Sequence, residues 1–77
     1  MVTVRYWAAA KHAAGVAEET LDAATLAEAL AAVVARRAAA QEFRRVLAVS
    51  SFLVNGEQAG ARAAEAVPLA EGAVVEV

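Results

Sequence analysis

Cysteine is absent from this chain, proline and histidine occur once each, and the aromatics are one tryptophan, one tyrosine and two phenylalanines. Without cysteine there is no disulfide staple, no thiolate nucleophile and no sulfur-ligated metal, a composition suited to a reducing compartment. The expected location is therefore the cytoplasm. The lone His12 has neither a second histidine nor a Glu-x-x-x-His spacing beside it, so no metal site is expected and His12 reads as a solvent-facing residue. Long apolar runs are lacking too. The alanine-rich stretch from Thr25 to Ala40 is interrupted by Glu28, Arg36 and Arg37, and no charged segment precedes an apolar one at the start. A membrane role is not expected. The formal charge of −2 argues against general nucleic-acid binding, which needs a basic surplus.

What is present fits one domain, residues 1–77. The 61% hydrophobic fraction is largely alanine, so a shallow core is expected from the scattered Val, Leu, Phe, Tyr and Trp. Val2, Val4 and Tyr6 alternate with Thr3, Arg5 and Trp7, which predicts a strand over 2–7 with one apolar face. Residues 8–14 favour a short helix that Gly15 closes. A second strand is expected over 16–22. Thr25-Leu26-Ala27-Glu28 matches a capping box, and Leu26, Leu30, Val33, Val34 and Arg37 recur on one face of the main helix that follows. A short helical turn is expected around Phe43, Val46 and Leu47. Residues 51–54 read as a strand that runs through the Asn55-Gly56 turn into a short partner over 57–61. Residues 63–67 read as loop. Pro68, Gly72 and the β-branched run to Val77 predict a last strand. The fold class expected is α+β, with one main helix across one face of a single mixed sheet.

Few residues suggest chemistry. Ser50 and Ser51 lack a glycine-flanked elbow and a histidine base, and read as strand residues. Glu18 and Glu19 alternate faces, cannot share a proton, and read as solvated surface. Arg36-Arg37 and Arg44-Arg45 read as cations suited to a helix C-terminus, with an acidic partner or RNA as the lesser reading. Trp7 is different. If Val2, Val4 and Tyr6 face the helix, Trp7 faces the uncovered side of the sheet, and Leu53 joins it there. That is an unusual apolar exposure for a small domain and predicts a partner-binding surface. No autonomous active site and no catalytic residue are expected.

Four segments together carry a family resemblance: V-x-V-R-Y-W-A-A-A-K-x-x-A-G over Val2 to Gly15, T-L-A-E-A-L over Thr25 to Leu30, L-V-N-G over Leu53 to Gly56, and V-P-L-x-x-G-x-x-V over Val67 to Val75. The chain resembles the ubiquitin-like sulfur carriers of the MoaD/ThiS family, and its long first connection with Lys11 is similar to the molybdopterin-synthase branch. The resemblance implies a β-grasp fold with first and last strands parallel at the sheet's centre. It implies no cofactor, and two partners: the large subunit of molybdopterin synthase and an ATP-dependent adenylyltransferase that activates the carrier. It further implies a tail ending in Gly-Gly after the last strand, converted to a thiocarboxylate that delivers sulfur to cyclic pyranopterin monophosphate. Those glycines are not among the 77 residues, and Ala73 stands where such carriers commonly have an acidic residue. The partner-contacting residues it suggests are Trp7, Lys11 and Gln58, to which the strand alternation adds Leu53. The alternatives are a β-grasp interaction module that transfers nothing, and a sulfur carrier for thiamine, cysteine or tRNA thiolation.

Overall fold

The computed structural model describes the whole chain, Met1–Val77. Its elements run β1 (Val2–Arg5), α1 (Ala8–Ala14), β2 (Glu18–Leu21), α2 (Leu26–Ala35), α3 (Ala40–Ala48), β3 (Leu53–Val54), β4 (Glu57–Gln58) and β5 (Val74–Glu76), with one 3-10 turn at Ala64–Ala66. The architecture is α+β: a mixed five-stranded sheet of order β2-β1-β5-β3-β4 and three helices. β1 and β5 are parallel neighbours; every other pairing is antiparallel.

Alternation in β1 decides which face is covered. Val2, Val4 and Tyr6 are buried, and they share one cluster with Leu26, Ala29 and Val33 of α2, Phe43 and Leu47 of α3, and Val75 of β5. Alanine contributes more to this core than its size suggests. Ala10, Ala29, Ala59 and Ala73 are all buried, and Ala29 is fully so, because a helix that presents only a methyl can approach its neighbours closely. Trp7, which the alternation puts on the uncovered side, is 59% exposed.

The local punctuation follows its chemistry. Gly15 sits at φ 79° and its N–H donates to the Lys11 carbonyl, closing α1. Thr25 Oγ1 accepts the Glu28 N–H at 3.2 Å, and Glu28 Oε1 accepts the N–H of Ala24 at 3.0 Å, one residue earlier than in a strict capping box. Asn55 and Gly56 both adopt positive φ, at 52° and 85°, the two-residue hairpin turn whose twist suits the flanking strands.

Several expectations are corrected. The main helix stops at Ala35, with Arg36 as its cap, so Arg37 leaves the helical face; its Nη1 turns back to donate to the Val33 carbonyl at 2.6 Å. The short turn around Phe43 is a nine-residue helix nearly as long as α2. Ser50 and Ser51 lie outside any strand: Ser50 Oγ donates to the Val46 carbonyl at 2.7 Å and finishes α3. The β-ladders are shorter than the apolar runs, and residues 63–67 contain the 3-10 turn.

Candidate interaction face

The side of the sheet away from the helices carries no buried residue. Directly paired strand residues share a face, so the register sets out one row across it: Glu18 opposite Arg5, Arg5 opposite Glu76, Glu76 opposite Leu53, and Leu53 opposite Gln58. Arg5 Nε lies 3.4 Å from Glu18 Oε1, an exposed pair of the kind that contributes about 0–1 kcal/mol. Leu53 is half-buried, while its neighbours Phe52 and Val54 pack against the core, as the alternation requires.

Trp7 stands at the end of this row. Its indole Nε1–H donates to Glu76 Oε2 at 2.9 Å. Its main-chain N–H donates to the Val77 carbonyl at 3.0 Å, and the Val77 N–H donates to the Arg5 carbonyl at 2.9 Å, so the parallel β1–β5 pairing extends to Trp7 and Val77. The next residue, Ala8, adopts φ 48°, a left-handed conformation that costs a residue with a Cβ about 1–2 kcal/mol. That turn swings the chain from β1 into α1 and leaves a groove of about 380 Å³, lined by Trp7, Ala8, Leu53, Gln58, Glu76 and Val77 among others.

Of the four residues singled out in the sequence, the fold therefore brings Trp7, Leu53 and Gln58 to one groove. Lys11 lies apart from it, on the other side of Trp7, in a shallow depression with Arg5, Ala17 and Glu18. Glu76 belongs to the groove but was not singled out. Its signal was the period of two in Val74-Val75-Glu76-Val77, which places Glu76 opposite Val75 and on the Trp7 face. Ser50 and Ser51 also line the groove.

A second charged cluster lies on the helix-covered side and corrects the reading of Glu19 as solvated surface. Glu19 is on the inward face of edge strand β2, its side chain only 13% exposed. It accepts hydrogen bonds from the Tyr6 hydroxyl and from Arg37 Nη2, and Arg36 Nη1 donates to Oε1 at 3.0 Å. Burial alone would raise its pKa, but the hydrogen bonds from Arg37, Tyr6 and Arg36 outweigh burial and hold the carboxyl below its usual range. Burial, with the bond to Glu19, pushes the Tyr6 hydroxyl well above the ordinary tyrosine value. The Arg37 guanidinium also covers the Phe43 ring at 4.4 Å and the Tyr6 ring at 5.4 Å, cation–π contacts that tie α3 to the sheet. This network is structural: it fastens the α2–α3 junction to β2.

No three His, Cys, Asp or Glu side chains converge on one point, and His12 is exposed on α1. No helix is long and apolar enough to cross a membrane. Comparison with known protein families and with curated proteins finds no match to this chain.

Proposed function

We propose that the fold is a β-grasp and that the chain is a sulfur carrier, the small subunit of a molybdopterin synthase. The observation that carries this reading is the parallel pairing of the first and last strands, which delivers Val77 to the side of Trp7 at the rim of the uncovered face. A carboxyl end leaving from that point emerges beside an apolar groove able to hold a partner. The four sequence segments that resemble the family include β1, the start of α2, the Asn55-Gly56 turn and the approach to β5.

In this reading the chemistry belongs to residues beyond Val77 that end in Gly-Gly. An activating enzyme joins the terminal carboxylate to the α-phosphorus of ATP and releases pyrophosphate. Sulfide supplied by a donor then attacks the acyl carbon and displaces AMP, leaving a thiocarboxylate. Two glycines suit such a tail because, lacking side chains, they thread a narrow channel and take backbone angles closed to other residues. The carrier itself supplies no general base. Its own residues dock the partners, the adenylyltransferase and the synthase large subunit in the cytoplasm, through Trp7, Leu53 and Gln58, with Lys11 on the flank.

The second reading, a β-grasp interaction module that transfers nothing, is favoured by the groove alone, since Trp7 and Leu53 need no tail to bind a partner. The native carboxyl end separates the two. Sequencing the reading frame and weighing the intact protein from its source tests the carrier: an end in Gly-Gly supports it, and any other end leaves the module.

A further inference from the structure

Four of the seven Lys and Arg side chains fall within ten residues, Arg36, Arg37, Arg44 and Arg45, where Glu42 is the one acid. Elsewhere the chain is acidic, with Arg5, Lys11 and Arg62 against all the remaining carboxylates. Arg36 and Arg37 are engaged by Glu19, whereas Arg44 and Arg45 pair with no carboxylate and are exposed. A surplus of free positive charge on a protein of net negative charge is a local field that attracts anions.

The same segment contains a groove. It runs between α2 and α3, measures about 470 Å³, and is lined by Leu30, Val34, Leu47 and three alanines, with Arg37 and Arg44 in its walls. Leu30 is half-buried and Val34 and Leu47 are buried, so the apolar floor is recessed below the basic rim. α2 lies on the opposite side of the sheet from Trp7, which makes this surface independent of the groove assigned to the carrier's partners.

We infer that the α2–α3 groove docks an acidic amphipathic helix of a protein partner, leucine-type side chains seating over Leu30, Val34 and Leu47 while its carboxylates meet Arg44 in the groove wall, with Arg45, outside the groove, adding to the positive field. A groove between two helices accepts a third helix by the same ridge-and-groove fit that packs helices together. Other anionic macromolecules fit less well. Single-stranded RNA needs aromatic platforms for its bases, and the one aromatic side chain of this region, Phe43, is buried. An anionic membrane needs apolar side chains that project, and here they are sunk between helices.

The test uses the full chain with methyl and amide NMR, and four probes: a synthetic helical peptide with leucine on one face and glutamate on the other, its lysine counterpart, poly(U), and phosphatidylglycerol vesicles. The leucine–glutamate peptide is expected to shift the methyl signals of Leu30, Val34 and Leu47, to bind more weakly as salt rises, and to lose roughly tenfold in affinity on Arg44→Glu with Arg45→Glu. Both arginines are exposed, so the native spectrum should persist; Arg44→Gln with Arg45→Gln gives a smaller loss of the same kind and serves if the charge reversal disturbs the fold. Shifts centred on Trp7 and Leu53, indifference to both double variants, equal binding of the lysine peptide, or tighter binding of poly(U) or vesicles would overturn the inference.

Discussion

Trp7 and Glu76 are joined across the two central strands, the indole N–H of one donating to the carboxylate of the other at 2.9 Å. The tryptophan is thus exposed yet held in one orientation, an arrangement suited to a docking residue because little rotamer freedom remains to be lost on binding. If the chain is the carrier proposed above, Trp7→Asp should weaken binding of its activating enzyme by at least ~2 kcal/mol, as at an interface hot spot. Unfolding stability, measured by urea titration, should change by no more than about 1 kcal/mol, because most of the ring is already in water. A large loss of stability would make Trp7 a core residue.

Ala8 offers a test of backbone strain at the same place. Its φ of 48° suits glycine better than alanine. Ala8→Gly should therefore stabilise the fold, or at least leave it unharmed, by a margin of up to ~1 kcal/mol. Thermal denaturation reads this directly; a clear loss would mean that the turn after Trp7 is not strained.

Glu19 should make stability depend on acid. Its folded-state pKa is depressed, so the unfolded chain takes up the proton first as pH falls. The contribution is therefore complete above the unfolded carboxyl value of about 4.3 and disappears as pH drops through the lower folded value. Glu19→Gln should flatten that acid limb and cost roughly 1–3 kcal/mol at neutral pH, since two arginines lose their shared acceptor charge. Urea midpoints followed from neutral to acid pH decide it.

Tyr6 should act at the other end of the pH scale. Its folded-state pKa is raised, so its contribution is complete below the unfolded value of about 10 and is lost as pH rises through the folded one. Tyr6→Phe should remove that alkaline dependence and cost about 1 kcal/mol for the missing hydrogen bond to Glu19. An unchanged alkaline profile in the variant would show that Tyr6 is not the group responsible.

Ala29 tests how closely α2 sits on its neighbours. With no exposed surface and neighbours on every side, Ala29→Leu should cost roughly 1–3 kcal/mol through overpacking. Retained stability would mean that the core has room the structure does not show.

Much of the architecture was legible because the sequence states it locally. Val2, Val4 and Tyr6 alternate, Gly15 stops a helix, Thr25 and Glu28 start one, and Asn55-Gly56 can hardly be anything but a hairpin turn. Leu53 reached the open face by parity alone. The departures are cases where partners distant in sequence override the local pattern. Arg37 continues a helical face on paper, but Glu19, seventeen to eighteen residues earlier, draws Arg36 and Arg37 together and the helix ends at Ala35. Glu19 itself looked solvated because nothing near it in the chain announces two arginines and a tyrosine. Burial of Ala29 is not legible, because a buried methyl leaves no signature that separates it from the chain's many other alanines. Lys11 and Gln58 were linked only by the family resemblance, and the fold sets them on different sides of Trp7.

The claim that this domain is a platform for a reactive carboxyl end is tested most directly by intact-protein mass spectrometry. The native full-length chain is incubated with ATP, its adenylyltransferase and a sulfide donor, with a reaction lacking ATP as the reference. The account predicts that the mass rises by one oxygen-for-sulfur replacement at the carboxyl terminus, only when ATP is present. A mass unchanged under all conditions, with a native chain that does end in Gly-Gly, would contradict it.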